Sequence, residues 1–138
     1  MRRLKVLGAS IQTLLDIYKL FCRSVLEYGA PVWSGDISNG NVNQIERVQR
    51  NALKIIFGGG SNYEDLLEEI EEDSLKERRN KLCTNLAEKC LKDPKFAKWF
   101  KDGIKTRNTV HFVEPEAKTK RYRKSAIPHL TRLLNSRS

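Results

Sequence analysis

Apolar side chains recur every three or four residues through three long stretches of this chain, and that spacing limits it to packed helices. Between residues 10 and 29 they fall at Ile11, Leu14, Leu15, Tyr18, Phe21, Cys22, Val25 and Tyr28. A strand would scatter this set over two faces, whereas a helix gathers it into one wide stripe. Ser10 offers a capping oxygen at the start. Gly29 and Pro31 close the run, since glycine accepts a left-handed end and the residue before proline avoids helix. Val32 and Trp33 then read as a short extended turn folding back on the core.

Residues 34–41 read as a loop by composition, and a second helix follows from Val42 to Phe57. Its inner stripe is Val42, Ile45, Val48, Ala52, Ile55 and Ile56. Gly58-Gly59-Gly60 stops it. A glycine triplet can also cradle phosphate, but such loops precede a helix and carry a Lys-Ser/Thr pair. A third, short helix over 63–71 is capped by Asn62 and faces inward through Tyr63, Leu66, Leu67 and Ile70. Ser74 and Glu77 form a capping box that opens a fourth helix running to about Lys92. Here Leu75, Leu82, Cys83, Leu86, Ala87, Cys90 and Leu91 point inward, and Arg78, Arg79, Lys81, Lys89 and Lys92 outward or sideways. Asp93-Pro94 starts one more short piece carrying Phe96, Ala97, Trp99 and Phe100. Beyond Gly103 the stripe is lost through 104–124, and Ile127, Leu130, Leu133 and Leu134 mark a last short helix. The expectation is an all-α fold of four or five packed amphipathic helices, residues 1–103, with a basic, partly irregular C-terminal tail, residues 104–138.

Charge is unevenly distributed. The chain of 138 residues carries a formal net charge of +9, yet Glu64, Asp65, Glu68, Glu69, Glu71, Glu72 and Asp73 crowd one segment that has no basic residue. A solvated acidic helix face is the plain reading of that segment. The basic remainder points to a polyanion partner. No apolar run approaches the roughly 18 residues of a spanning helix. The basic-then-apolar start is too short for a signal-peptide core. An intracellular protein, nuclear or cytoplasmic and without a membrane partner, is therefore expected.

The residues for independent catalysis or metal binding are not in place. Cys22, Cys83 and Cys90 form no CxxC pair and stand far from His111 and His129, so no zinc site is expected and the cysteines read as reduced, buried small hydrophobes. Two-metal phosphoryl chemistry needs carboxylates converging from separate elements, and the acidic run lies on one short helix. No cofactor is expected.

Three sets of residues carry a family resemblance. Leu15-Asp16-Ile17-Tyr18-Lys19, continuing through Arg23-Ser24-Val25-Leu26-Glu27-Tyr28-Gly29-Ala30-Pro31-Val32-Trp33, is the first. Ile45-Glu46-Arg47-Val48-Gln49-Arg50 with Ala52-Leu53-Lys54-Ile55-Ile56 is the second. The third joins Arg78-Arg79 and Leu82-Cys83 to Arg121-Tyr122, Ser125-Ala126-Ile127-Pro128 and Leu130-Thr131-Arg132-Leu133-Leu134-Asn135. Together they resemble the thumb and post-thumb region of non-LTR (LINE-type, jockey-like) retrotransposon reverse transcriptases. The resemblance implies a piece of an RNA-directed DNA polymerase whose palm, with its Ala-Asp-Asp motif, lies upstream. No Ala-Asp-Asp stands in this sequence, so the chain is expected not to be an enzyme on its own.

A thumb holds a template-primer by backbone contacts without reading its sequence. The residues that would do so are Lys19 and Arg23, then Arg47, Arg50 and Lys54 at helical spacing, then Arg78, Arg79 and Lys81. Arg121, Arg123 and Lys124 follow, with Tyr122 as a stacking platform. Ion pairs compete for them. Arg47 and Arg50 could face a neighbouring helix, and for Arg78 and Arg79 a bridge to the acidic 64–73 segment is the favoured use. The expected partners are non-specific RNA or DNA and the upstream polymerase domain. The alternative is a coopted or inert helical protein-interaction module, whose charge split permits self-association.

Overall fold

Helices dominate the computed structural model, which describes residues 1–105 and 110–136. Their order is α1 (Arg2–Val6), α2 (Ile11–Ile17), a π-helical segment (Tyr18–Arg23), α3 (Ser24–Glu27), α4 (Ala30–Trp33), α5 (Asn39–Phe57), α6 (Tyr63–Glu69) and α7 (Leu75–Lys92). Then come α8 (Pro94–Ala97), strands β1 (Lys101–Lys105) and β2 (Val110–Val113), α9 (Lys120–Arg123) and α10 (Ala126–Asn135). The mostly helical fold read from the sequence is what the chain adopts. The contacts divide it into two compact units, Met1–Tyr28 with Ser38–Arg78, and Gly29–Ile37 with Arg79–Ser138. The tail expected from residue 104 thus shares a unit with most of α7.

The first unit is built around Leu14, Leu15 and Tyr18 packed on Ala52, Leu53, Ile56, Tyr63 and Leu66. Local signals set its elements. Ser10 Oγ accepts the Thr13 N–H at 3.1 Å to start α2, and Ser38 Oγ accepts the Asn41 N–H at 3.3 Å to start α5. Gly58 ends α5 with φ of 98°, a left-handed cap that only glycine adopts without strain. The Lys5 ammonium donates to the Ile55 and Ile56 carbonyls at 2.8 and 2.9 Å, satisfying the end of α5. The capping box forms as expected, Ser74 N–H to Glu77 Oε2 at 3.1 Å and Glu77 N–H to Ser74 Oγ at 3.2 Å.

The second unit gathers Cys83, Ala87 and Cys90 of α7 with Phe100 and Leu130, backed by Leu91, Phe96, Phe112, Leu133 and Leu134. β1 and β2 pair antiparallel, Lys101 opposite Val113 and Asp102 opposite Phe112, with an irregularity before Lys105 and Val110. The Asn135 side-chain amide closes on β2 like a further strand. Its Oδ1 accepts the Phe112 N–H at 2.8 Å and its Nδ2 donates to the Phe112 carbonyl at 2.9 Å, which occupies an otherwise open edge position. Gly35 permits a close approach, for a Cβ there would lie 2.4 Å from the Lys124 carbonyl oxygen and 2.8 Å from the His129 Cβ.

Several sequence expectations need correction. Residues 10–29 are not one regular helix. The π-helical segment interrupts the 3.6-residue period, so Leu14, Leu15 and Tyr18 are buried while Phe21, Val25 and Tyr28 are exposed. Pro31 does not produce an extended turn. It is the second residue of the single-turn α4, in a first turn where its fixed φ and missing N–H are tolerated, after Ala30 and the left-handed Gly29. α5 begins at Asn39 because Ser38 caps it, and it buries Gln49 and Leu53 while leaving Val48 exposed. Leu86 of α7 is exposed, and Arg79, expected outside, is 3% exposed with its guanidinium over the Trp33 ring at 5.8 Å. The tail holds more regular structure than its composition suggests, in the hairpin, α9 and α10. Expectations for residues 106–109 and 137–138 lie outside the described residues.

Candidate nucleic-acid interface

Burial of Ala52, Leu53 and Ile56 turns the opposite side of α5 to solvent, and Arg47, Arg50, Asn51 and Lys54 lie there. Residues 47, 51 and 54 recur at four and three, one line along a helix. Among the described residues no carboxylate pairs with Arg47 or Lys54. Lys54 and Asn51 line a cleft of about 760 Å³ with Arg2, Lys5, Val6 and Ile55. Arg2 extends the cationic line onto α1, a contribution that sequence reading missed because the basic N-terminus was weighed only as a leader.

Arg50 turns away from that line. Its guanidinium sits 4.9 Å from the centre of the Tyr63 ring, beside a cleft of about 620 Å³ that Glu46 and Lys76 share. Glu46 fills the start of α7. Its Oε1 accepts the Lys76 N–H at 2.6 Å, and its Oε2 accepts the Leu75 N–H at 3.3 Å and the Tyr63 hydroxyl at 3.0 Å. Burial, then the Glu46 charge and hydrogen bond, push the Tyr63 phenol well above its ordinary range. A helix start already holding a carboxylate leaves no place there for phosphate.

A second group of sequence candidates is committed to ion pairs. The Lys19 ammonium lies 2.8 Å from Glu72 Oε1, and Arg23 lies 2.7 Å from Glu72 Oε2. Arg78 grips Glu27 with both Nε and Nη2 and reaches Glu72 at 3.4 Å. Burial alone would raise the Glu72 carboxyl. The hydrogen bonds from Lys19 and Arg23 outweigh it and hold the group below the ordinary carboxylate range. The bridge favoured for Arg78, to the acidic segment, is made at Glu72, but its closer pairing is with Glu27 of α3, outside that segment. Arg79 is buried on Trp33, and Lys81 is exposed.

In the second unit Arg121, Tyr122, Arg123 and Lys124 lie on and just after α9, all exposed. Lys124 pairs with Asp36 at 3.2 Å, and the Arg123 carbonyl accepts from Arg132 at 3.0 Å. Tyr122 lines a cavity of about 460 Å³ with Trp99, Val113, Pro115 and Ile127. Trp99 is a second exposed aromatic there, which the sequence reading placed on a short amphipathic piece and not among the site residues. Cys83 and Cys90 are buried, Cys22 is half-buried, and all are free thiols. Burial pushes the Cys83 thiol up. Among the described residues no three His, Cys, Asp or Glu side chains cluster as a metal would need, and no helix is long and apolar enough to cross a membrane.

Comparison of the chain with models of protein families, with curated proteins and with solved structures returned no match.

Proposed function

We propose that this chain is the thumb-like part of a non-LTR retrotransposon RNA-directed DNA polymerase, which holds a template-primer through phosphate contacts and performs no catalysis by itself. The observation that carries the binding is the cationic line of Arg47 and Lys54, presented by a helix whose other side is anchored in the core and extended by Arg2 of α1, with no carboxylate partner among the described residues. The family origin rests on the sequence resemblance. Contacts of this kind position a duplex and carry no base information. Lys19, Arg23 and Arg78 act in this reading as supports that keep the first unit folded, and the α9 residues form a separate contact set.

Fluorescence anisotropy of the full chain with a labelled duplex, DNA and RNA–DNA hybrid in turn, tests the reading across a salt series. Each phosphate neutralised contributes about −0.9 to the log–log slope on duplex DNA. Arg47→Gln with Lys54→Gln is expected to make the slope shallower by roughly two such steps, about 1.8. An affinity that does not change with salt, or a slope that the double variant leaves alone, overturns the reading. A helical protein-interaction module is the second reading, favoured by the exposed apolar side chains Leu20, Phe21 and Val25.

A further inference from the structure

We propose that Leu20, Phe21, Ser24 and Val25 form a docking face that pairs with the same face of a second copy of this chain. Leu20 is 68% exposed, Phe21 67% and Val25 74%, and Tyr28 beyond them is 84% exposed. Their spacing places them on one side of the helix, with Ser24 in the middle. The side exists because the π-helical segment Tyr18–Arg23 breaks the regular period. Tyr18 stays in the core and the next apolar residues swing out.

Two features fit this face for burial. The hydroxyl at its centre is already satisfied, since Ser24 Oγ lies within hydrogen-bond distance of its own backbone carbonyls at Leu20 and Phe21. It can lose water without leaving an unmade bond. The nearby cations are engaged within the chain, Lys19 and Arg23 on Glu72 and Arg78 on Glu27, so that three cations and two carboxylates leave a single net positive charge. Two copies of a chain with net charge +9 therefore meet here with the flanking cations engaged by carboxylates of their own chain.

The area points to a second copy as the occupant. Two aromatic rings with Leu20 and Val25, at these exposures, present on the order of 500 Å² of apolar surface. A pair of faces thus removes about 1,000 Å² from water, the lower bound of a specific interface. An antiparallel arrangement about a two-fold axis at Ser24 sets Leu20 against the partner's Tyr28 and lets the helices approach over a small side chain. This contact does not depend on nucleic-acid binding.

Sedimentation equilibrium of the full chain, up to about 100 µM and at low and high salt, tests the proposal. A monomer–dimer equilibrium that high salt leaves intact or tightens is expected. Phe21→Lys with Val25→Lys is expected to weaken it by at least about 30-fold, the loss of a hot-spot pair. Both side chains are exposed, so an unchanged far-ultraviolet circular dichroism spectrum verifies the variant's fold. Should that variant fail to fold, Ser24→Cys supplies the second readout, an intermolecular disulfide formed across the axis in mild oxidant. A monomeric wild type overturns the proposal and leaves the face to a different partner. A dimer that the folded double lysine variant keeps, a dimer that salt dissolves, or assembly running past two copies also overturns it.

Discussion

His129 puts a titratable group at a spot where its charge is unwelcome. Its Nε2 is buried and makes no hydrogen bond, and its Cβ lies against the Gly35 backbone. Burial first, and the Arg132 charge second, lower its pKa. An imidazole whose folded pKa lies below its unfolded value of about 6.5 favours folding only while neutral. Its contribution is intact above the unfolded pKa and is lost as pH falls from there through the folded one. Lys124 and Asp36 form an ion pair close to the same loop. The lowered Glu72 carboxyl acts in a more acid range, its stabilisation being lost only as pH falls below about 4.3 and through the folded value. Urea unfolding is therefore expected to show a lower midpoint near pH 5.5 than near pH 7.5, and His129→Leu is expected to flatten that difference. Equal pH dependence in wild type and variant would remove His129 as the cause. None of this was legible in the sequence, where His129 was one of two histidines in a basic tail. Its surroundings come from Gly35, almost a hundred residues earlier.

At the scale of elements, the caps were legible because a cap is a local matter. Ser10, Asn62, the Ser74–Glu77 pair and the glycine stop at Gly58 act within a few residues of where they stand. The π-helical segment was not legible, since a helical wheel assumes the period that Tyr18–Arg23 breaks. The Ser24 hydroxyl, bonded back to Leu20 and Phe21, is the local sign of such a distortion. Glu46 shows what a tertiary cap adds to a local one. From α5 it reaches the first two N–H groups of α7 and the Tyr63 hydroxyl. Glu46→Ala is expected to cost roughly 2–3 kcal/mol, because three donors lose a charged acceptor. Ser74→Ala, which removes only the local cap, is expected to cost about 1 kcal/mol. Chemical denaturation of both variants gives the comparison, and equal losses would mean that Glu46 adds nothing to the start of α7.

Across the whole chain, a net charge of +9 does not describe how the basic residues are used. The sequence placed twelve side chains in one candidate interface by charge and spacing. The structure sorts them by whether a carboxylate comes within reach, which a sequence cannot show when the partners lie about fifty residues apart, as Arg23 and Glu72 do. This sorting predicts two classes of variant with opposite signatures. Lys19→Gln with Arg23→Gln leaves Glu72 partly buried with Arg78 alone, so stability is expected to fall by about 1–2 kcal/mol, between the values for surface and buried pairs. The salt slope of duplex binding is expected to stay where it was, since neither cation was available to phosphate. Arg47→Gln with Lys54→Gln is expected to do the reverse, leaving the denaturation midpoint unchanged and making the salt slope shallower. Measuring both quantities on both variants separates folding from binding without reference to any relative. If the Lys19 and Arg23 variant loses salt slope while keeping its stability, those ion pairs open in the complex, and the interface extends from α5 to the π-helical segment.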